Sequence, residues 1–361
     1  MTEAAELAVG KPGAPEEVDL RLRQGSRLWG LAGVVFFLAA LVTGTLIGPV
    51  DLPAGAVAES VGAHLHLGVH SHLSATEDAI LWQLRLPRVV LACLVGAMLA
   101  AAGATYQGVS RNPLADPYLL GVAAGAGLGA TVAIVNGSGR AAGGDLVPLA
   151  AFVGASAAVA LAYALGRSAG AGQRGIAALA LAGVTVASFL TAVQTFVQQQ
   201  HADTLQTVYS WILGRLDTAG WHDVLLLLPY AAVSAVMLLV HRRVLDVLSL
   251  GDDEAASLGV NVGRIRLVLV GAATLGTAAA VAVSGLIGFV GIIVPHAIRL
   301  VVGGSYRTLI PLSLLVGGGF LVFADVLART VIAPGELPIG VVTAFFGAPF
   351  FAVVLRTSRL V

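Results

Sequence analysis

The chain has 361 residues, of which 57% are hydrophobic and only 11% are charged, and its mean hydropathy is +0.91. This apolar share is far above that of a soluble domain, and several runs reach the roughly 20 apolar residues that cross a bilayer. Twenty basic residues balance twenty acidic ones, which argues against nucleic acid as a partner. The single cysteine, Cys93, excludes an internal disulfide framework and a thiolate zinc site.

Ten apolar runs are predicted to cross the bilayer, so we expect an all-α, polytopic membrane protein. A polar tail over residues 1–27 precedes them, and a membrane domain over 28–358 contains them. The apolar stretch 267–302 is divided near 284–291, because one helix of 36 residues would be about 54 Å long, against a hydrocarbon core of about 30 Å. The predicted spans are 29–47, 89–106, 118–136, 147–166, 176–199, 223–240, two within 267–302, 308–331 and 338–355.

Basic residues orient these spans. With both termini in the cytoplasm, fifteen of the twenty basic residues lie inside, as the positive-inside rule expects. The five on the outer side are Arg85, Arg88, Arg140, Arg215 and Arg329. We therefore predict cytoplasmic N- and C-termini.

Small residues recur on one face of the second and third spans. Helices in membranes approach one another closely at such residues. We therefore expect close helix contacts at Gly96, Ala100, Gly103, Gly121, Gly125 and Gly129.

A polar segment, LGDDEAASLGVNVGRIR (250–266), separates the sixth and seventh spans. Its acids, Asp252, Asp253 and Glu254, begin a predicted short helix, where carboxylates suit the unpaired N–H groups and the helix dipole. Gly259 is predicted to end that helix. Two interpretations remain: a solvent-exposed helix that contacts a soluble partner, or a simple connecting loop.

One face of the fifth span is polar. Its members recur at steps of three and four, which is helical spacing. Such a face lines water or hydrogen-bonds to a neighbouring helix. The residues are Thr185, Ser188, Thr191, Gln194, Thr195 and Gln198.

Four histidines alternate with apolar residues in HLHLGVHSH (64–72) on the outer side. Imidazoles spaced in this way can bind a transition metal or haem iron. A polar loop without a ligand is the alternative. The candidates are His64, His66, His70 and His72.

Several blocks of this sequence resemble the bacterial permease family that imports vitamin B12, haem and iron–siderophores. The resemblance covers about residues 80–358. The blocks are LRLPR (84–88), RNPLADPYLLG (111–121), LGDDEAASLG (250–259), GFVGIIVPHAIRL (288–300), ADVLAR (324–329) and ELPIGVVTAFFGAPFF (336–351).

The resemblance implies ten helices per subunit in the cytoplasmic (inner) membrane. The partners that it implies are a second copy or a homologous permease, two cytoplasmic ATP-binding subunits and an extracytoplasmic substrate-binding protein. It assigns the polar face of the fifth span to the translocation path, and Arg85, Arg88 and Arg329 to docking of the binding protein. It assigns ATPase coupling to Asp252, Asp253, Glu254, Ala255, Ala256, Leu258 and Gly259.

The three arginines that the resemblance assigns to docking have alternative roles. Arg329 could pair with Asp325, which is one turn away, and Arg85 and Arg88 could reach lipid headgroups. The chain has no Walker A pattern, so ATP hydrolysis is expected on another subunit, and we predict no enzymatic activity and no cofactor here.

Other classes fit less well. An intramembrane hydrolase needs a nucleophile–base pair, and a secondary transporter often carries intramembrane carboxylates for ion coupling. The expected cargo is an iron chelate, either a siderophore or haem. Cobalamin import by the same mechanism, or a secondary transporter, is the alternative.

Overall fold

The computed structural model describes residues 15–137, 146–168, 173–217 and 220–357, without the side chains of 15–27, 173–177, 355 and 357. These ranges contain helices and no strands. The α-helices are α1 (Pro15–Leu46), α2 (Ala54–His64), α3 (Ala75–Ala79), α4 (Leu86–Ser110), α5 (Val122–Val135), α6 (Leu146–Ser168), α7 (Gln173–Gln200), α8 (Leu205–Ile212), α9 (Trp221–Leu248), α10 (Asp252–Ser257), α11 (Val262–Ser284), α12 (Val290–Val302), α13 (Tyr306–Thr330) and α14 (Ile339–Thr357).

Seven helices in the described ranges are long and apolar enough to cross a membrane. Three shorter apolar helices, Val122–Val135, Val290–Val302 and Ile339–Val354, lie where the sequence predicts the third, eighth and tenth spans. The all-helical, membrane-spanning class is therefore confirmed. The count of ten spans and the orientation of the termini stay predictions.

The predicted break in the apolar stretch 267–302 is present between α11 and α12. Helix α11 ends at Ser284, and Gly285 takes a left-handed conformation with φ of 69°. Phe289, which precedes α12, is also left-handed with φ of 68°, a conformation that costs energy for a residue with a side chain. The chain is thus non-helical over five residues inside an apolar region.

Helix α4 lies at the centre of the bundle, where it packs against α9, α11, α12 and α13. The predicted small-residue faces allow this packing. A Cβ atom on Gly96 would collide with the backbone of Gly317 on α13, and a Cβ on Gly125 would collide with Gly154 on α6. Backbones meet directly at these points, so the expectation of close helix contacts is confirmed there. Gly121 differs, because it precedes α5 with φ of 85° and a Cβ atom on it would make only ordinary contacts at 3.6 Å.

Three polar stretches are more structured than their composition suggests. Helix α1 begins at Pro15, so the second half of the predicted tail is helical, whereas residues 1–14 lie outside the described ranges. Proline at the first position, followed by Glu16 and Glu17, favours a helix start there. The outer stretch 49–80 contains α2 and α3, and the stretch 200–222 contains α8.

Candidate functional site

The polar segment 250–266 forms the predicted short helix, α10. Gly251 and Gly259 flank it with φ of 148° and 80°, conformations that glycine adopts without a steric penalty. Ala255 is fully buried where α10 packs on α9 and α11. The exposed residues of α10 and of the turn that follows it are Asp253, Glu254, Ala256, Ser257, Leu258 and Gly259. Leu258 is 64% exposed.

Asp252 differs from its two acidic neighbours because it faces the bundle. One of its oxygens lies 2.9 Å from Nη2 of Arg266 on α11 and 3.3 Å from Nη2 of Arg111. Arg111 caps the C-terminus of α4 in a left-handed conformation with φ of 48°. Asp252 therefore ties α10 to the start of α11 and the end of α4, and no local sequence pattern predicted the Arg111 contact.

The three arginines predicted for docking converge at one end of the bundle, with Asp325 and Glu336. We call these five residues the outer cluster. Arg88 donates from Nε and Nη2 to Asp325 at 2.8–3.1 Å, and from Nη1 and Nη2 to Glu336 at 3.0 and 2.8 Å. Arg329 lies 3.5 Å from Asp325, one turn earlier on α13. Glu336 begins the block ELPIGVVTAFFGAPFF (336–351), which carries part of the family resemblance, but no role was predicted for its side chain.

The other two arginines hold the end of α1. Arg85 donates to the carbonyl oxygens of Thr45, Leu46 and Val50 at 2.6–3.1 Å. Arg329 donates to the Gly44 carbonyl at 2.7 Å. Cations suit these carbonyls because the end of a helix carries a partial negative charge.

Burial distinguishes these three arginines from an ordinary docking surface. Arg85 is 4% exposed, Arg329 is 2% exposed, and the Arg88 side chain is 12% exposed. Their guanidinium groups are occupied by internal acceptors in this single subunit. Docking at these residues stays a prediction, and Arg88 is the member of the three that is nearest to solvent.

The polar face of α7 divides into two sets. Thr185, Ser188, Thr191 and Thr195 are exposed, whereas Gln194 is 8% exposed and donates to Thr131 of α5 at 3.2 Å. Gln194 thus makes the helix–helix hydrogen bond that was the alternative for this face.

A cavity of about 400 Å³ lies along the C-terminal half of this face. Thr185 and Ser188 are not among its lining residues. The polar and aromatic side chains that line it are Thr191, Gln194, Thr195, Gln198, Tyr118 and Tyr209, and Leu286 from the break between α11 and α12 completes the wall. None of these side chains is ionised at neutral pH, and Ala123, Ala124, Ala187 and Ile212 line the rest of the cavity, so its wall combines uncharged polar groups with apolar ones.

Two of the four histidines have separate partners. His72 Nδ1 lies 2.6 Å from a Glu59 carboxylate oxygen, and the His64 ring stacks on Trp82 with centroids 3.9 Å apart. In the described ranges no group of three or more His, Cys, Asp or Glu side chains is placed to hold a metal ion. The geometry gives the metal hypothesis for His64, His66, His70 and His72 no support.

Comparison with known proteins shows the family of this chain. Residues 33–357 match the FecCD transport family. The chain belongs to that family. It is 41% identical over 359 residues to the cobalamin import system permease protein BtuC of Halobacterium salinarum, covering 99% of this chain and 94% of that protein. It is 35% identical over 347 residues to the iron(3+)-hydroxamate import system permease protein FhuB of Bacillus subtilis, covering 96% and 88%.

A solved structure supports the same assignment. It is described as an inward-facing conformation of a metal-chelate type ABC transporter, and it superposes with a TM-score of 0.79 at 27% identity. The match covers 91% of this chain and 98% of that one. The FecCD chain described here is therefore a membrane-spanning ABC transporter permease, and its named relatives are transport subunits rather than enzymes.

Proposed function

We propose that this permease forms the membrane path of an ATP-driven importer for an iron chelate, either a siderophore or haem. The path would lie in the cytoplasmic membrane and be formed with a second copy or a homologous permease. Two ATP-binding subunits would act on the inner side and a substrate-binding protein on the outer side. The observation that carries the proposal is the uncharged polar wall of α7 in a chain of the FecCD family.

The polar wall suits a large chelate in transit. Threonine and glutamine side chains hydrogen-bond to a passing ligand without the strong attraction of a fixed charge. Conduction requires contacts that are weak enough to release the cargo. Thr191, Thr195 and Gln198 are the side chains that we expect to touch it.

Coupling to ATP hydrolysis is assigned to the exposed side of α10. A short helix anchored by the buried Ala255 can present Asp253, Glu254 and Leu258 to a soluble ATPase as a rigid unit. Docking of a binding protein is assigned to the outer cluster through Arg88. A carboxylate of the binding protein would there compete with Glu336 for one guanidinium group.

A second cargo has its own support. The relative with 41% identity over 99% of this chain is named for cobalamin import, so a corrinoid is the alternative chelate. Ion-coupled transport is disfavoured by the outer cluster. Asp325, the carboxylate on α13, is buried and already paired with Arg88 and Arg329, so it is not free to bind a coupling ion.

The orientation can be tested by labelling. We expect α10 to face the cytoplasm, so a cysteine at Ser257, in a Cys93→Ala background, should react with a membrane-impermeant maleimide only after the cell membrane is opened. A cysteine at His70 should react in intact cells. The reverse pattern would overturn the predicted cytoplasmic termini.

The transport activity can be tested with the permease reconstituted in vesicles together with the ATPase and binding protein encoded beside it. Ferric hydroxamate, haemin and cyanocobalamin serve as probes. We expect ATP-dependent uptake of an iron chelate, and no uptake when an ionophore-imposed ion gradient replaces ATP. Uptake of cyanocobalamin alone would assign the second cargo. Gradient-driven uptake without ATP would overturn the importer class.

A further inference from the structure

The middle of the break between α11 and α12 is held by one tyrosine hydroxyl. Tyr118 donates to the Ile287 carbonyl at 2.9 Å and accepts from the Ile287 N–H at 3.0 Å. A non-helical stretch in an apolar region leaves backbone groups without partners, and each unpaired group is costly. One hydroxyl satisfies both backbone groups of Ile287, so the middle of the break is tied to Tyr118, while the Arg215 N–H holds its start through the Ser284 carbonyl at 2.8 Å.

That break forms part of the translocation cavity. Leu286, next to Ile287, lines the cavity beside Tyr118 itself, opposite the polar residues of α7. A shift of Tyr118 would therefore move the cavity wall. Tyr118 is the last residue of a segment that we call the strap, residues 111–118.

The other end of the strap contacts the coupling helix. Arg111, its first residue, lies 3.3 Å from the Asp252 carboxylate of α10. The eight residues of the strap thus connect the helix assigned to ATPase contact with the wall of the cavity.

The strap is locally stiff. The side chain of Asn112 accepts from the Leu114 N–H at 2.9 Å, and that of Asp116 accepts from the Tyr118 N–H at 2.8 Å. These are self-contained side-chain turns, and Pro113 and Pro117 restrict the backbone further. A stiff segment transmits a displacement of one end to the other.

We propose that Arg111 and Tyr118 are positioning residues that link movement of α10 to the wall of the translocation path. The inference rests on the proposed function, since it requires α10 to move with an ATPase. A shift of α10 acts on Arg111 through Asp252, and the strap carries it to Tyr118 and the backbone of Ile287.

The test measures molecules of probe imported per ATP hydrolysed in the reconstituted transporter. Tyr118→Phe removes only the hydroxyl, and we expect the ratio to fall about fivefold. Tyr230→Phe is the matched control, because it removes an exposed tyrosine hydroxyl that is not among the residues lining the cavity, and it should leave the ratio unchanged. Arg111→Ala should lower the ratio similarly, Arg111→Lys should restore much of it, and Arg243→Ala, at an exposed arginine of α9, should not alter it.

A second readout does not depend on the cargo. A spin label on a cysteine at Leu119, beside the strap, should change mobility when ATP binds, and Arg111→Ala should abolish that change while a label at Leu258 still responds. Normal ratios in both Tyr118→Phe and Arg111→Ala, with the Leu119 label still responding, would overturn the strap alone. Absence of ATP-dependent uptake by the wild type would overturn the proposed function, and the strap with it.

Discussion

The outer cluster and the polar segment 250–266, which we call the coupling segment after its proposed role, both concentrate charge, yet they place it differently. In the outer cluster the carboxylate of Asp325 is 1% exposed and the guanidinium groups are occupied by internal acceptors. In the coupling segment only Asp252 is committed to the bundle, while Asp253 and Glu254 face solvent. Charge that is buried must be paired, whereas exposed charge is available to a partner.

The two regions therefore have different roles, although the resemblance implies contact with a partner protein for both. The outer cluster holds together the ends of α1, α4 and α13 and the segment before α14. The exposed side of α10 holds nothing together and can be changed at little structural cost. Two variants of the outer cluster test this contrast, beginning with the largest expected effect, and a third variant tests a buried carboxylate of the strap.

Removing the centre of the outer cluster should be severely destabilising. Asp325→Ala leaves Arg88 and Arg329 without their shared carboxylate, and breaking a buried pair costs about 3–5 kcal/mol. We expect a large fall in the unfolding midpoint of the purified permease in detergent. Asp203→Ala, at an exposed acid, is the control. Equal midpoints for the two variants would contradict the structural role of the cluster.

Glu336→Gln should have a smaller effect, because Glu336 is 31% exposed and its pairing with Arg88 is partly screened. The expected loss is about 1 kcal/mol. If Arg88 also docks the binding protein, freeing it should tighten the binding protein's affinity at low salt, and this gain should shrink as salt rises. A loss of stability as large as that of Asp325→Ala would show that burial does not determine how much each carboxylate of the cluster contributes to stability.

The third experiment concerns Asp116 in the strap, and its expected effect depends on pH. Burial raises the pKa of Asp116 from 3.8 to about 6, although its hydrogen bond from the Tyr118 N–H opposes the rise. The folded state thus binds the proton more tightly than the unfolded state, and stability from this group is lost as pH rises through 6.

Asp116→Asn removes this titration and keeps an oxygen that can accept from Tyr118. The variant should therefore unfold at a higher temperature than the wild type at pH 7.5, and the gap should close as the pH falls from 7 toward 4. Asp203→Asn, at an exposed acid, is the control. A gap that widens on acidification would contradict the assigned direction.

Local rules predicted the coupling segment well and the outer cluster only in part. The start, end and exposed acids of α10 depend on neighbours in the sequence, and the break before α12 follows from the length of the apolar stretch. The pairing of Asp325 with Arg329 was foreseen as an alternative because the two are one turn apart. The Arg88–Asp325 contact joins residues 237 positions apart and the Arg329–Gly44 contact joins residues 285 positions apart, so no local sequence pattern predicts them.

The polar face of α7 shows the same limit. Its periodicity was visible, but which of its members would bond to a neighbouring helix depended on where Thr131 lies in the folded bundle. Tyr118 and Arg111 were missed for the same reason, although both belong to the sequence block RNPLADPYLLG that carries the family resemblance.

The central claim is that the exposed side of α10 receives the action of a separate ATPase. The most direct measurement compares the wild type with Asp253→Ala combined with Glu254→Ala, scoring ATPase co-purification, uptake and unfolding midpoint on the same preparations. We predict that ATPase co-purification and ATP-dependent uptake fall together, by about tenfold or more, while the unfolding midpoint stays at the wild-type value. Normal ATPase association and uptake in the folded double variant would contradict the claim.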